Sequence, residues 1–275
     1  MTSDPALDDV LRQIQTWEAP HAAAAVVTPQ GLIASLGDVE HPFPLASVTK
    51  ILVADAVLVA VEEEALSLHQ AAGPPGSTVA HLLAHASGLG FDGGVLAPPG
   101  TRRIYSNAGF EVLATTLEAA TGMTMADYLA AAVVEPLGMS GTRLDGSAAR
   151  DAVSTLVDLA RFGAELLEPR LLARETLARA TSPVFPDLAG VVPGFGRHDP
   201  NPWGLGFEIR GEKRPHWTGL GNSPATFGHF GQSGTFVWVD PVAAVALVVL
   251  TDRAFGPWSA EAWPRFADGV LGAVS

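Results

Sequence analysis

The sequence predicts an α+β fold, in which an antiparallel β-sheet is flanked by N- and C-terminal helices and an all-helical subdomain is inserted. Short apolar runs and two-residue alternation, both typical of strands, occur near both ends of the chain, whereas apolar residues in the middle have helical spacing. Strands from both ends can share one sheet, so we assign residues 1–66 and 182–275 to a sheet domain and 67–181 to the helical subdomain. A ligand site is expected in the cleft between them.

The elements of the sheet domain follow from these patterns. Two apolar runs separated by Pro29-Gln30-Gly31 are typical of a hairpin. The expected strands are 22–28, 32–36, 205–210, 235–239 and 242–250, and the expected helices are 7–17, 47–66 and 260–274.

The middle of the chain is predicted to be helical with glycine- and proline-rich interruptions. The expected helices are 79–86, 108–120, 125–134, 153–167 and 171–179. A long loop, 87–103, follows the first of them. Loops of this length inside a compact domain are usually functional or disordered, so this one is a candidate part of a site.

Composition excludes several classes of protein. The 275 residues include 29 acidic and 16 basic side chains, and a formal charge of −13 argues against binding to nucleic acid or to an anionic membrane. The chain has no cysteine, so disulfides, thiolate catalysis and Cys-ligated metals are excluded. Residues 1–10 do not resemble a signal peptide, and no apolar run is long enough to span a membrane, so a cytoplasmic location is expected.

A candidate nucleophile stands at the start of the helix that begins at Ser47. On a helix, residues three apart share a face, so the Ser47 hydroxyl and the Lys50 amine would lie side by side. The first helical turn also favours negative charge. Lys50 and Lys213 are the only lysines beside 14 arginines, and lysine, unlike arginine, can transfer a proton. The alternative is a serine that caps the helix, followed by a surface lysine.

A second candidate element, Tyr105-Ser106-Asn107, ends the long loop. Tyr105 would supply a proton-transfer group and Asn107 a hydrogen-bonding amide next to it. The alternative is that the Tyr105 ring is packed and that Asn107 caps the following helix.

A third candidate element, residues 229–235, is predicted at the start of a strand. Its glycines leave room for a ligand to approach the backbone. Backbone N–H groups on such an edge could complete an oxyanion hole together with the N–H of Ser47.

Together these three elements resemble the serine β-lactamase and penicillin-binding-protein superfamily, which carries a Ser-x-x-Lys motif. The branch most similar comprises class C β-lactamases, D-alanyl-D-alanine carboxypeptidases and family VIII esterases, whose second motif is Tyr-x-Asn. Residues 77–89, 135–139 and 203–207 are also similar to stretches of that branch. Where penicillin-recognising members have Lys-Thr-Gly, this chain has His229-Phe230-Gly231, as in esterase and peptidase relatives, so efficient β-lactam turnover is not expected.

The resemblance implies acyl transfer through an acyl-enzyme on Ser47, with Lys50 and Tyr105 moving the proton. The oxyanion would be held by the N–H groups of Ser47 and Gln232. The implied substrate-binding residues are Asn107, His229, Phe230 and Gly231. Asn107 would orient Lys50 or bind the substrate, and His229 would hold Tyr105 or the leaving group.

A hydrolase of esters or small amides is therefore the first hypothesis, with a small-molecule substrate and no cofactor, metal, nucleic-acid or membrane partner. A β-lactamase or D-amino-acid peptidase is the second, and a non-catalytic ligand-binding relative is the third. His81 and His85 have a spacing that can bind zinc, but the glutamate of a metallopeptidase helix is missing. A Gly-x-Ser-x-Gly elbow is also missing, which argues against an α/β-hydrolase.

Overall fold

Residues 22–28 and 245–251, from opposite ends of the chain, pair as antiparallel strands in the computed structural model, which describes residues 5–275. The strands are β1 Ala22–Thr28, β2 Gly31–Leu36, β3 Phe43–Pro44, β4 Arg143–Leu144, β5 Ala152–Ser154, β6 Gly190–Val192, β7 Gly196–His198, β8 Glu208–Ile209, β9 Phe227–Gly231, β10 Thr235–Asp240 and β11 Val245–Thr251. The main sheet has the order β2-β1-β11-β10-β9-β8 and is antiparallel throughout. The predicted α+β fold is confirmed.

Helices cover both faces of this sheet. The α-helices of residues 5–275 are α1 Pro5–Leu11, α2 Thr49–Glu62, α3 Val79–Leu83, α4 Asn107–Thr121, α5 Met125–Leu129, α6 Leu156–Leu167, α7 Arg174–Ala180 and α8 Pro257–Val274. Strand β1 shows the two-sided burial: Ala23, Ala25 and Val27 pack in the core that includes α2 and α6, whereas Ala24 and Val26 pack in the core that includes α1 and α8. The apolar runs are therefore continuous because neither face of the sheet is solvated.

The helix expected to open at Ser47 begins slightly later. Residues Ala46–Val48 form a single 3₁₀ turn and α2 follows from Thr49, so Ser47 lies in the turn that leads into the helix. The expectation of a helix from residue 153 is wrong at its start, because Ala152–Ser154 is strand β5, which pairs with β3. Thr155 then caps α6 by accepting a hydrogen bond from the Asp158 N–H. A threonine cap followed by an aspartate is the signal that marks this boundary.

Two elements from the middle of the chain are α6 and the hairpin of β6 and β7. Helix α6, which lies within the predicted helical subdomain, packs on β1, β10 and β11 of the sheet. The hairpin of β6 and β7, in a Pro/Gly-rich passage for which no strand was predicted, is an additional two-stranded element. Among residues 5–275, every helix is too short or too polar to cross a membrane.

The loop 87–103 is ordered by its own backbone hydrogen bonds. Leu96 N–H donates to Gly88 O, and Gly90 N–H donates to Gly94 O. Gly88 has a φ of +84°, and a Cβ there would lie 1.9 Å from the carbonyl oxygen of Ala97, so the loop closes on itself only with glycine at this position. The Phe91 carbonyl accepts from the first amides of α4, which fixes the loop beside the second motif.

Candidate active site

Ser47 lies at the N-terminal entrance to α2 and is partly exposed. Ala46, immediately before it, has a φ of +45°, an uncommon left-handed conformation for a residue with a side chain. Such strained residues, each costing about 1–3 kcal/mol, cluster at functional sites. The turn presents Ser47 to a cavity rather than to the core.

Lys50 is fully buried one turn further on. Its Nζ lies 3.4 Å from Ser47 Oγ, 2.8 Å from Asn107 Oδ1 and 2.7 Å from the carbonyl oxygen of Ala149. The alternative of a surface lysine beside a capping serine is therefore wrong. Val48 is the N-cap residue of α2, and no side chain caps that end.

The surroundings of Lys50 favour its neutral form. Burial lowers the pKa of Lys50 to about 7; Glu111 opposes this shift and Arg150 adds to it. The partners of Nζ are neutral oxygens, and Lys50 makes no ion pair with any residue in 5–275. A large fraction of the amine is thus unprotonated near neutral pH and able to accept a proton.

Tyr105 completes the group around Ser47. Its hydroxyl lies 3.5 Å from His229 Nε2, and Lys50 Nζ lies 4.8 Å from the centre of its ring. Burial raises the pKa of Tyr105 well above its ordinary value, and a hydrogen bond with Ser47 only partly offsets this. The phenol is therefore protonated in the resting protein, so Lys50 is better suited than Tyr105 to accept the first proton.

His229 is neutral, and its tautomer follows from its contacts. Nδ1 lies 2.6 Å from the carbonyl oxygen of Phe230, which can only accept, so Nδ1 carries the proton. Burial, followed by the nearby charge of Lys50, lowers the pKa of His229 to about 3. Nε2 thus presents a lone pair to the Tyr105 hydroxyl, in line with the predicted role of holding Tyr105.

Asn107 stands at the first position of α4 and lies behind Lys50. The alternative that it caps the helix is wrong, because Ser106 is the N-cap residue and accepts a hydrogen bond from the Gly109 N–H. The Asn107 amide is consequently free to accept from Lys50, which corresponds to the first of its two suggested roles.

The third element is held directly against the segment that precedes Ser47. A Cβ on Gly231 would lie 2.4 Å from the carbonyl oxygen of Leu45, and Thr235 Oγ1 donates to the same oxygen at 3.0 Å. Gly231 therefore makes room for the protein's own backbone, whereas the sequence suggested that this glycine admits a ligand. This packing places the turn that contains Gln232 next to Ser47, and both residues line the same cavity.

This cavity, of about 220 Å³, is the candidate active site. Its walls are formed by Ser47, Phe91, Tyr105, Val192, Pro193, Trp203, Glu208, His229, Phe230 and Gln232. Five of them were predicted site residues. Trp203 also lines the cavity, whereas Trp217 is buried outside the wall and donates to Glu208. Lys50, Asn107 and Gly231 lie behind the wall. The cavity is small and mainly apolar, which fits a short acyl group.

Two contributors were missed by sequence reasoning. The Ala149 carbonyl holds Lys50, but a backbone oxygen has no residue-type signature. His85 is buried; its Nδ1 accepts from the Ser106 N–H at 3.1 Å and its ring lies 4.6 Å from that of Tyr105, centre to centre. His85 thereby positions the second motif, and its place in the 77–89 stretch was the available signal.

Glu208, in the cavity wall, belongs to a buried polar cluster. It accepts hydrogen bonds from Lys213, from His216 Nε2 at 3.0 Å and from the Trp217 indole N–H. Burial alone would raise the pKa of Glu208, but Lys213 and His216 outweigh it and hold this pKa far below its usual range. The cavity therefore has an ionised carboxylate in its wall whose charge is compensated from behind.

This fold and site define a member of the serine β-lactamase and penicillin-binding-protein-like group. A sequence profile of the Beta-lactamase family matches residues 7–271, and the chain belongs to this family. A β-lactamase from Mycobacterium bovis is 54% identical and superposes with a TM-score of 0.95, with 96% of this chain and 99% of that chain covered.

More distant proteins are similar in fold or in sequence. A hydrolase with promiscuous acyltransferase activity is 17% identical and has a TM-score of 0.80, with 97% of this chain and 98% of that chain covered. A Salmonella enteritidis protein named as a D-alanyl-D-alanine carboxypeptidase is 25% identical over 229 residues, which are 64% of this chain. The match spans about half, 52%, of that curated relative.

Proposed function

We propose that this protein is a serine hydrolase that forms an acyl-enzyme on Ser47 and hydrolyses carboxylic esters or small amides. One observation carries the proposal: Ser47 Oγ lies 3.4 Å from a fully buried lysine amine whose partners are all neutral oxygens. An uncharged amine in contact with a hydroxyl is an activated nucleophile pair.

The proposed reaction begins when Ser47 Oγ attacks the substrate carbonyl carbon and its proton passes to Lys50 Nζ. The oxyanion of the tetrahedral intermediate accepts hydrogen bonds from the backbone N–H groups of Ser47 and Gln232. The bond to the leaving group then breaks. Tyr105 donates its hydroxyl proton to the departing oxygen or nitrogen and recovers a proton from Lys50.

Deacylation repeats these steps with water as the nucleophile. Lys50, neutral again, accepts a proton from the attacking water through Tyr105, and the acid product leaves as Ser47 is reprotonated. While Tyr105 is protonated, its hydroxyl donates to His229 Nε2, whose tautomer allows this atom only to accept, and this contact positions the phenol between proton transfers. General acid–base catalysis of this kind contributes about 10²–10⁴-fold.

A second candidate function, β-lactam or D-amino-acid peptide hydrolysis, is favoured by the M. bovis relative, which is named as a β-lactamase. The ester hypothesis is favoured by His229 and Phe230. Because His229 is neutral, these two side chains offer a substrate carboxylate neither a charge nor a hydroxyl. A third reading, a ligand-binding protein without turnover, requires Ser47 to be unreactive.

A fluorophosphonate probe and paired substrates distinguish the three readings. We expect the probe to label the wild type on Ser47, and p-nitrophenyl acetate to be hydrolysed much faster than a chromogenic cephalosporin. Ser47→Ala is the matched control and should lose both labelling and turnover. A faster cephalosporin reaction would favour the second candidate, and an unlabelled Ser47 without turnover would favour the third.

A further inference from the structure

A second, larger cavity adjoins the candidate active site. It has a volume of about 690 Å³ and shares Phe91, Tyr105 and Pro193 with the inner cavity, so the two adjoin at these side chains. We call it the outer groove; its walls come from the end of the loop 87–103 and from the β6–β7 hairpin. Arg102, Arg103 and Arg197 are among the residues that line it.

The three arginines differ in availability. Arg103 is buried and donates to four backbone carbonyls, those of Ala84, Val184, Phe185 and Asn201. Arg102 is exposed and forms no ion pair with any residue in 5–275. Arg197 pairs with Asp199 at 3.2 Å, but both side chains are about two-thirds exposed, and such pairs contribute little. Arg102 and Arg197 are thus available to a ligand.

The charge of the outer groove is opposite to that of the chain. The protein has a formal charge of −13, yet none of the described residues that line the outer groove carries a carboxylate. A concave surface of one sign, with two guanidinium groups available, attracts and orients an anion. The planar guanidinium fits the two oxygens of a carboxylate or phosphate.

We propose that the outer groove receives the leaving group of the substrate, and that Arg102 and Arg197 bind a carboxylate or phosphate carried by it. This inference rests on the proposed function. Ser47 and Gln232 line only the inner cavity, whereas Tyr105 lines both. The acyl group therefore occupies the inner cavity, and the leaving group, which takes its proton from Tyr105, extends past the phenol into the outer groove.

Matched acetate esters test this assignment. Phenyl acetate, 4-acetoxybenzoate and 4-acetoxyphenyl phosphate have the same acyl group and differ in the charge of the leaving group. The readout is the ratio of kcat/KM for each anionic ester to that for phenyl acetate, in the wild type, in Arg102→Gln, in Arg197→Gln and in the double variant. Differences in intrinsic ester reactivity cancel when this ratio is compared between variants.

We expect each single substitution to lower the ratio about threefold and the double variant about tenfold, the size typical of partly exposed ion pairs. High salt should lower the wild-type ratio in the same direction. Arg265→Gln is the matched control, since this arginine is exposed on α8, pairs with Glu261 and lies outside both cavities. The anion with the larger drop identifies the preferred group.

An unchanged ratio in the double variant would overturn the assignment while leaving the proposed function intact, because phenyl acetate would still be hydrolysed through Ser47. Failure of the proposed function is seen separately, as absence of Ser47 labelling and of turnover with all three esters. As a second readout, 4-hydroxybenzoate should inhibit the wild type competitively and the double variant about tenfold more weakly.

Discussion

The two lysines of this protein are both buried, at 0% and 3% exposure, but their surroundings differ in one respect. Lys213 contacts the carboxylate of Glu208, together with Asn201 Oδ1 and the Pro202 carbonyl. Lys50 contacts only a hydroxyl, an amide oxygen and a carbonyl. Lys213 therefore contacts a counter-charge, whereas Lys50 does not.

Under the proposed function, this difference separates a structural lysine from a reactive one. Burial lowers the pKa of both amines, but at Lys213 the charge of Glu208 opposes the shift, whereas at Lys50 the main opposing group is the more distant Glu111. The pair with Glu208 keeps an ion pair inside the protein, and removing one partner of such a pair is costly. Lys50 has hydrogen-bond acceptors around its amine but no carboxylate in contact with it, so its proton is easily lost.

The largest expected effect is on turnover in Lys50→Met. The substitution removes the proton acceptor beside Ser47 and should lower kcat for p-nitrophenyl acetate by about 10³-fold, within the range for general acid–base groups. Steady-state kinetics measure this fall in kcat. The control is Lys213→Arg, which retains a buried charge at the other lysine. A Lys50→Met variant with wild-type kcat would contradict the assignment of Lys50 as the base.

The next largest effect is on stability in Lys213→Met. This variant leaves the Glu208 carboxylate buried without its charge partner, and the free energy of unfolding should fall by about 3–5 kcal/mol. Urea denaturation of the variant and of Lys213→Met combined with Glu208→Gln measures the effect. The double variant should recover part of the loss, because a neutral amide needs no counter-charge and its single oxygen can still accept from either His216 or Trp217. Equal losses of unfolding free energy in the single and the double variant would show that the unpaired Glu208 carboxylate is not the cause.

A third effect is the pH dependence of stability. Lys50 loses its proton near pH 7 in the folded protein, whereas its ordinary pKa is 10.5. Between these values the unfolded chain binds more protons, so Lys50 makes the free energy of unfolding rise with pH, by about 2 kcal/mol from pH 7 to pH 9. Comparing denaturation curves of the wild type and Lys50→Met across this range isolates the contribution of Lys50 to the pH dependence. Parallel pH dependences would mean that Lys50 stays protonated when folded.

The smallest predicted effect follows from giving Lys50 the counter-charge that it lacks. Asn107→Asp places a carboxylate at the oxygen that now accepts from Nζ at 2.8 Å, and should raise the pKa of Lys50 by at least about one unit. The acidic limb of the kcat/KM profile then moves to higher pH, and activity at pH 7 falls at least about fivefold. Asn107→Ala, which removes the hydrogen bond without adding charge, should not move this limb upwards.

Local sequence patterns were enough to predict much of the fold and the proximity of Ser47 and Lys50. Apolar runs at both ends of the chain were enough to predict a shared sheet, because fully buried strands leave this signature. The three-residue spacing placed Ser47 and Lys50 together although the helix begins after Ser47, since the preceding 3₁₀ turn has nearly the same direction of side chains.

Contacts between distant segments could not be predicted in this way. The Ala149 carbonyl that holds Lys50 has no side-chain signal, and the hairpin that brings Val192 and Pro193 to the cavity is too short to show a period. Glu208 stands in a predicted strand, but only the structure shows that Lys213 and His216 converge on it. The roles assigned to the individual site residues remain predictions.

The burial of both ε-amino groups also affects how the protein can be handled chemically. Acylating reagents that couple to amines, such as N-hydroxysuccinimide esters, can reach Lys50 or Lys213 only when the surrounding structure opens. The rate at which lysine side chains are modified should therefore report the population of open molecules, as amide hydrogen exchange does. Attachment to a surface through lysine would select those open molecules, so carboxylate-directed coupling is the route that preserves the folded state.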